Sequence, residues 1–426
     1  MFVPAQRQRL LTAVKRVDAV KGIAAMTQPF EETFRPRPAR LALFAYGFRP
    51  FFLAAGLHAI ILLTLWLHVL HSGHWPDSLG LPANWHGHEM LFGFAGAAIA
   101  GFLLTAVPNW TGERGFAGGK LVALTLLWLA GRLALNPIAP LAPLPGALID
   151  LAFFPALGAM VLPSIIRARN RRNYVMLLLL LMLTTASALY HLDRLGWMPG
   201  IWATGRVLAI DMVLIMVALI GGRIVPSFTS SALKRLGRPA AIPAFGGVDR
   251  LALGTLLGLT LADILQPEGW VPGALALIAG LANGLRLARW RGWKGADQPI
   301  LFILHVAYGW IPVGLFLKAA WLLTGLTVGQ SWIHALTAGA FATMILAVMS
   351  RAALGHTGRE IVAAKATVAA YLLLTLGVLV RVLAPLLPDM MIAYRIAGTA
   401  WMGAFILFLI IYAPILVSRR ADGRPG

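Results

Sequence analysis

The sequence predicts an all-α, polytopic membrane protein with twelve transmembrane helices. Three observations carry that reading. Of 426 residues, 59% are hydrophobic and 12% charged, with a mean hydropathy of +0.78; so few charges cannot cover a water-soluble surface of this length. Apolar runs long enough to cross a bilayer core as helix recur along the chain. Basic residues gather in every second connection, as they do in multi-pass proteins. A lipid-spanning barrel is excluded because its strands would be short and alternating. The run 175-VMLLLLLMLTTASALY-190 is neither.

Hydrophobic runs set against breakers give spans at 50–71, 86–108, 119–136, 147–165, 174–191, 203–221, 250–266, 272–286, 300–322, 332–352, 363–382 and 393–415. The Pro-rich 136-NPIAPLAPLPG-146 is a short stiff connection between spans 3 and 4. The chain divides into a basic tail (1–40), one membrane domain (41–415) and a basic tail (416–426). Most of the 36 Lys and Arg fall in 1–40, 109–120, 165–173, 221–250, 286–299, 351–366 and 416–426, which lie on one side of this topology. The opposite loops hold Arg194, Arg206, Arg381 and Arg395. Both termini are therefore expected in the cytoplasm, with the protein in a bacterial inner membrane. The net charge of +20 reflects topology and contact with anionic lipid rather than nucleic-acid binding. No signal peptide is read in the first forty residues. Cysteine is absent, which leaves His, Met, Asp, Glu and Tyr as metal ligands.

This topology assigns depths to the histidines. His86 and His88 lie at the outer end of span 2, His191 at the outer end of span 5 and His334 near the outer end of span 10. Three helices thus bring histidine to one level, and imidazole is the commonest metal ligand. His305 lies in the inner part of span 9 and His356 on the cytoplasmic side; both are further ligand candidates. His58 reads as a packed histidine, and His68, His71 and His74 as interfacial ones. A step of two residues turns a helix by about 200°, so His86 and His88 point to opposite faces. They serve two sites, or one ligates while the other hydrogen-bonds. Asp211, deep in span 6, is the candidate catalytic carboxylate, because a charge at that depth is costly. Proton relay, metal ligation and pairing with an arginine are its alternatives. Glu89 either orients an imidazole or caps the helix start.

A weak repeat ends three spans alike, with 107-VPNWTG-112, 225-VPSFTS-230 and 354-LGHTG-358. It suggests three four-helix units around a pseudo-threefold axis. Counting back from the shared threonine, His86 and His334 correspond, and span 6 offers Arg206 near that place. An arginine there can pair with haem propionates.

The motifs 46-YGFRPFF-52, 85-WHGHEMLFGF-94, 101-GFLLTAVPNWTG-112, 221-GGRIVPSFT-229, 305-HVAYGW-310, 334-HALTAG-339 and 349-MSRAALGHTGR-359 resemble those of the NnrS family. The resemblance covers nearly all of 41–415. It implies a membrane protein holding haem, expected to be haem b, and copper, acting in nitric oxide metabolism or defence against nitrosative stress. His86 or His88 together with His334 would hold the haem, and His191, His305 or the remaining histidine the copper. An unidentified electron donor would be a partner, and a nitric oxide reductase-like activity is one option. The twelve spans also resemble the haem–copper oxidase subunit in architecture, but spans 6 and 7 lack its copper histidines. Two other classes fit twelve spans with buried charge: a secondary transporter of a metal or small metabolite, and a haem or copper assembly factor.

Overall fold

The computed structural model describes residues 42–169 and 171–424. The tail expected at 1–40 lies outside the described residues. Twelve long helices run through them, with no strand among them: α1 Phe48–Ser72, α2 Pro82–Thr111, α3 Gly119–Ala134, α4 Pro143–Arg167, α5 Tyr174–Arg194, α6 Trp202–Arg235, α7 Gly247–Leu265, α8 Trp270–Arg289, α9 Pro299–Thr324, α10 Thr327–His356, α11 Lys365–Leu383 and α12 Met390–Val417. Ten are long and apolar enough to cross a membrane. Of the other two, α3 has 16 residues, and α7 carries Asp249, Arg250 and Asp263 within its 19. All twelve correspond in order to the expected spans.

The helices stop where the sequence supplies stop signals. Gly73, Gly112 and Gly325 take left-handed conformations after α1, α2 and α9, and each amide closes back onto its helix. This is the usual glycine solution at a helix C-terminus. Span 6 extends well beyond its expected end. The expected end of span 6 at 221 is overrun to Arg235, with Pro226 inside the helix. Proline removes one helical hydrogen bond, but membrane helices tolerate this where neighbours pack against the freed backbone. Gly222, just past that expected end, lies against the Arg286 guanidinium, which a Cβ would overlap.

Two helices carry an internal irregularity. A π-helical segment occupies Glu89–Phe94 of α2, and another Ala335–Ala342 of α10. Each begins within a few residues of a histidine singled out above. Such segments often sit at functional sites, because the wider turn redirects side chains.

Helices α2, α6 and α10 form the middle of the bundle. They converge, with α1, on a small apolar gap of about 80 Å³ lined by residues such as Ile99, Phe102, Met216, Ile220, Met344 and Val348. Convergence of helices four apart in order is what three four-helix units around one axis require. The bundle's periphery exposes residues such as Leu181, Leu257, Leu281, Leu372 and Ile410, an apolar surface suited to lipid. The end carrying His86, His191 and His334 is called here the histidine end; α12 finishes at the opposite, tail end.

Candidate functional site

The histidines of the histidine end divide between two sites on either side of α2. His86 and His88 occupy the same helical turn, and the half-rotation between them separates their surroundings completely.

His88 faces a buried polar cluster built by α1 to α5. Its Nε2 lies 3.2 Å from Asp150 Oδ2, and His191 Nε2 lies 2.9 Å from the same oxygen. Ser187 Oγ stands 3.3 Å from both His88 Nε2 and Asp150 Oδ2. His88 Nδ1 meets Glu89 Oε1 at 3.3 Å. Arg132 of α3 bridges the two carboxylates, donating to Glu89 Oε1 at 2.6 Å and, very closely, to Asp150 Oδ1. His58 Nε2 lies 3.1 Å from Glu89 Oε2. Glu89 therefore takes the imidazole-orienting role and does not cap the helix. His88, Glu89, Asp150 and His191 are all at most 5% exposed, so no bulk water screens these charges and each must find its partner inside the cluster.

The local sequence makes room for this. Gly93 lies under the cluster, where a Cβ would come within 2.5 Å of His58 Nε2 and 2.8 Å of Arg132 NH1. Its carbonyl, in the π segment, accepts the Trp128 Nε1–H at 3.1 Å. Tyr190 stacks on the His88 ring at 4.1 Å between centroids. Among the described residues, His88, Asp150 and His191 form the group with metal-ligand spacing, their ligand atoms all within 4.8 Å of one another. Two imidazoles and a carboxylate oxygen suit a first-row transition metal such as copper, iron or zinc. The Glu89 carboxylate on His88 Nδ1 is the outer-shell acceptor such ligands generally have, leaving Nε2 free to ligate.

His86 faces the other way, into a cavity of about 300 Å³ bounded by α1, α2, α6, α10, α11 and α12. His334 lines the same cavity from α10, and Arg206 and Arg381 line it from α6 and α11. The remaining wall is apolar and aromatic, including Leu63, Trp66, Met90, Leu374 and Trp401. The His86 ring stacks on Trp66 at 4.4 Å, nearly parallel. Its Nδ1 is buried without a hydrogen-bond partner, as is Arg206 Nε. Arg381 lies over the Tyr394 ring at 4.3 Å. The volume is at the lower end of what small-molecule and cofactor sites occupy. Two imidazoles, two guanidinium groups and apolar walls are the side chains a haem needs: axial ligands, partners for its propionates, and cover for the macrocycle.

The other candidates lie elsewhere. His305, near the start of α9, meets Thr229 Oγ1 at 2.9 Å and packs against Trp290 and Gly292. His356 ends α10 among Tyr46 and Phe48. Both are at the tail end, apart from the His86 and His88 sites. Asp211 lines neither site; its charged neighbours are Asp263 and Lys318, not an arginine. The interfacial His71 is within 3.4 Å of Arg395.

Asp150 and Arg132 were not singled out from sequence, although the rule that flagged Asp211 applies equally to both. Each is an ionisable residue inside an apolar run, and such residues carry function or pair with one another.

No curated protein matches the chain. A family model described as NnrS protein matches residues 42–420, which takes in all twelve helices and every residue of both histidine sites. The chain belongs to the NnrS family.

Proposed function

We propose that the protein is a haem- and copper-binding bacterial inner-membrane protein acting in nitric oxide metabolism or defence, with both termini cytoplasmic. Membership of the NnrS family supports the nitric-oxide-related role. The observation that carries the cofactor assignment is the division of His86 and His88 between two separate polar sites.

In this reading His86 and His334 would hold the haem, Arg206 and Arg381 would pair with its propionates, and Trp66 and Trp401 would keep water from the cavity. His88, Asp150 and His191 hold copper. When bound, the haem supplies a redox-active iron with affinity for nitric oxide. The chain's own part is positional and electrostatic. Glu89 fixes the His88 tautomer, so that Nε2 presents its lone pair. Arg132 neutralises one carboxylate charge and orients the other, keeping Asp150 Oδ2 turned toward both imidazoles. The apolar and aromatic part of the cavity wall suits a small, uncharged, lipid-soluble ligand.

The test is a pyridine haemochrome spectrum and metal analysis on detergent-purified protein from a haem-sufficient host, repeated after nitric oxide is added to the reduced sample. Stoichiometric haem with a nitric-oxide-shifted spectrum is expected. Folded protein that is colourless and metal-free would overturn the proposal and favour a transport role, to be checked by substrate uptake into vesicles.

A further inference from the structure

A second buried charge cluster lies behind the wall of the His86–His334 cavity, in the next four helices of the chain. Lys318 of α9 pairs closely with Asp263 of α7, and its ammonium lies 4.4 Å from the Trp332 ring centre in α10. Asp211 of α6 has the side chain of Asp263 within hydrogen-bonding reach, and Thr260, whose hydroxyl donates to the Leu256 carbonyl at 3.1 Å, stands beside it. Its Oδ2 is buried without a partner. Asp211, Asp263 and Lys318 are each at most 3% exposed. The charged groups facing Asp211 are Asp263 and Lys318; Thr260 and Trp332 complete the surroundings.

Charge and hydrogen-bond chemistry together constrain this trio. Lys318 has three donors and a single positive charge, which its contact with Asp263 already offsets. Two ionised carboxylates would leave a net negative charge at membrane depth with no second cation, an expensive state. Two carboxylates within hydrogen-bonding reach also cannot bond to each other unless one carries a proton. Asp263 is held ionic by Lys318. We propose that Asp211 carries one exchangeable proton, which it shares with Asp263 beside the fixed Lys318 cation, so that the trio is a proton-binding site.

Two placements make it accessible and useful. Asp263 lies in the last turn of α7, two residues from its end at Leu265, where Gln266 is exposed, so the trio sits nearer the histidine end. Ile210, beside Asp211, lines the His86–His334 cavity, and Trp332 precedes the cavity residue His334 by two positions. Uptake adds a proton to an Asp211 carboxylate oxygen and takes the trio from net negative to neutral; release reverses it. A role as proton source for chemistry in the cavity rests on the reading above. Occupancy of the site by a proton does not.

The test is infrared spectroscopy of the full chain in lipid nanodiscs, without added cofactor or substrate. A protonated-carboxyl C=O band is expected at neutral pH, shifting in D2O, fading as pH rises, and absent from Asp211→Asn. In Lys318→Met the two carboxylates lose their cation, so the protonated-carboxyl band should persist to higher pH than in the wild type. If a variant fails to fold, 13C-aspartate labelling of the wild type still assigns the band to aspartate or to glutamate. No protonated-carboxyl band, a band insensitive to both D2O and pH, or a band that aspartate labelling does not shift would each overturn the proposal.

Discussion

Asp150 is the residue on which the buried cluster depends. One oxygen meets Arg132 and the other both imidazoles, so its removal strands three partners at once. Asp150→Asn should destabilise the protein by about 3–5 kcal/mol, the usual cost of breaking a buried ion pair. Thermal unfolding in detergent measures this, and an unchanged midpoint would show that the cluster is not ionic. Gly93→Ala should be nearly as damaging, because its methyl group would occupy the space of His58 and Arg132. The same change at a half-buried helical glycine whose Cβ would meet only an ordinary contact, such as Gly309→Ala at 3.6 Å from Leu287, should be tolerated; the same assay compares the two. At this scale the sequence was half legible. The opposed directions of His86 and His88 follow from helical geometry and hold in the structure. The convergence of Asp150 and His191 on His88 depends on how α4 and α5 pack against α2, which no local spacing encodes.

At the scale of elements, helix existence and order were legible because lipid forces each backbone polar group to bond within its own segment. Irregularities were not. Hydropathy averages over a window and does not register a single widened turn, so the π segments Glu89–Phe94 and Ala335–Ala342 left no signal. Nor did it show that α6 continues through Pro226 to Arg235, since Gly and Pro break helices in water more readily than in a packed bundle. Both π segments directly follow the histidine-bearing turns, and together they set the phase between those turns and the packed helix below. Deleting Leu91 should convert the first segment to regular helix and so redirect the side chains of the widened turn, Glu89 and Met90 among them. The expected outcome is folded, membrane-inserted protein with both cofactor sites impaired. Size-exclusion chromatography with metal and haem analysis would check it, and retention of both cofactors would show that the segment is incidental.

In the proposed topology the twelve helices return the chain to the side on which it began, and the positive-inside rule would assign that side, with its basic connections, to the cytoplasm. Reporter fusions after residue 424 and within the connection between α5 and α6 should therefore report opposite sides of the membrane. In this account α2 separates two cofactor sites with two histidines two positions apart. The most direct measurement is the haem and copper content of His86→Ala and His88→Ala, purified in parallel with the wild type. The account predicts opposite losses: His86→Ala without haem but with copper, His88→Ala without copper but with haem. Loss of both cofactors from each variant while the fold is retained, or no loss from either, would contradict it.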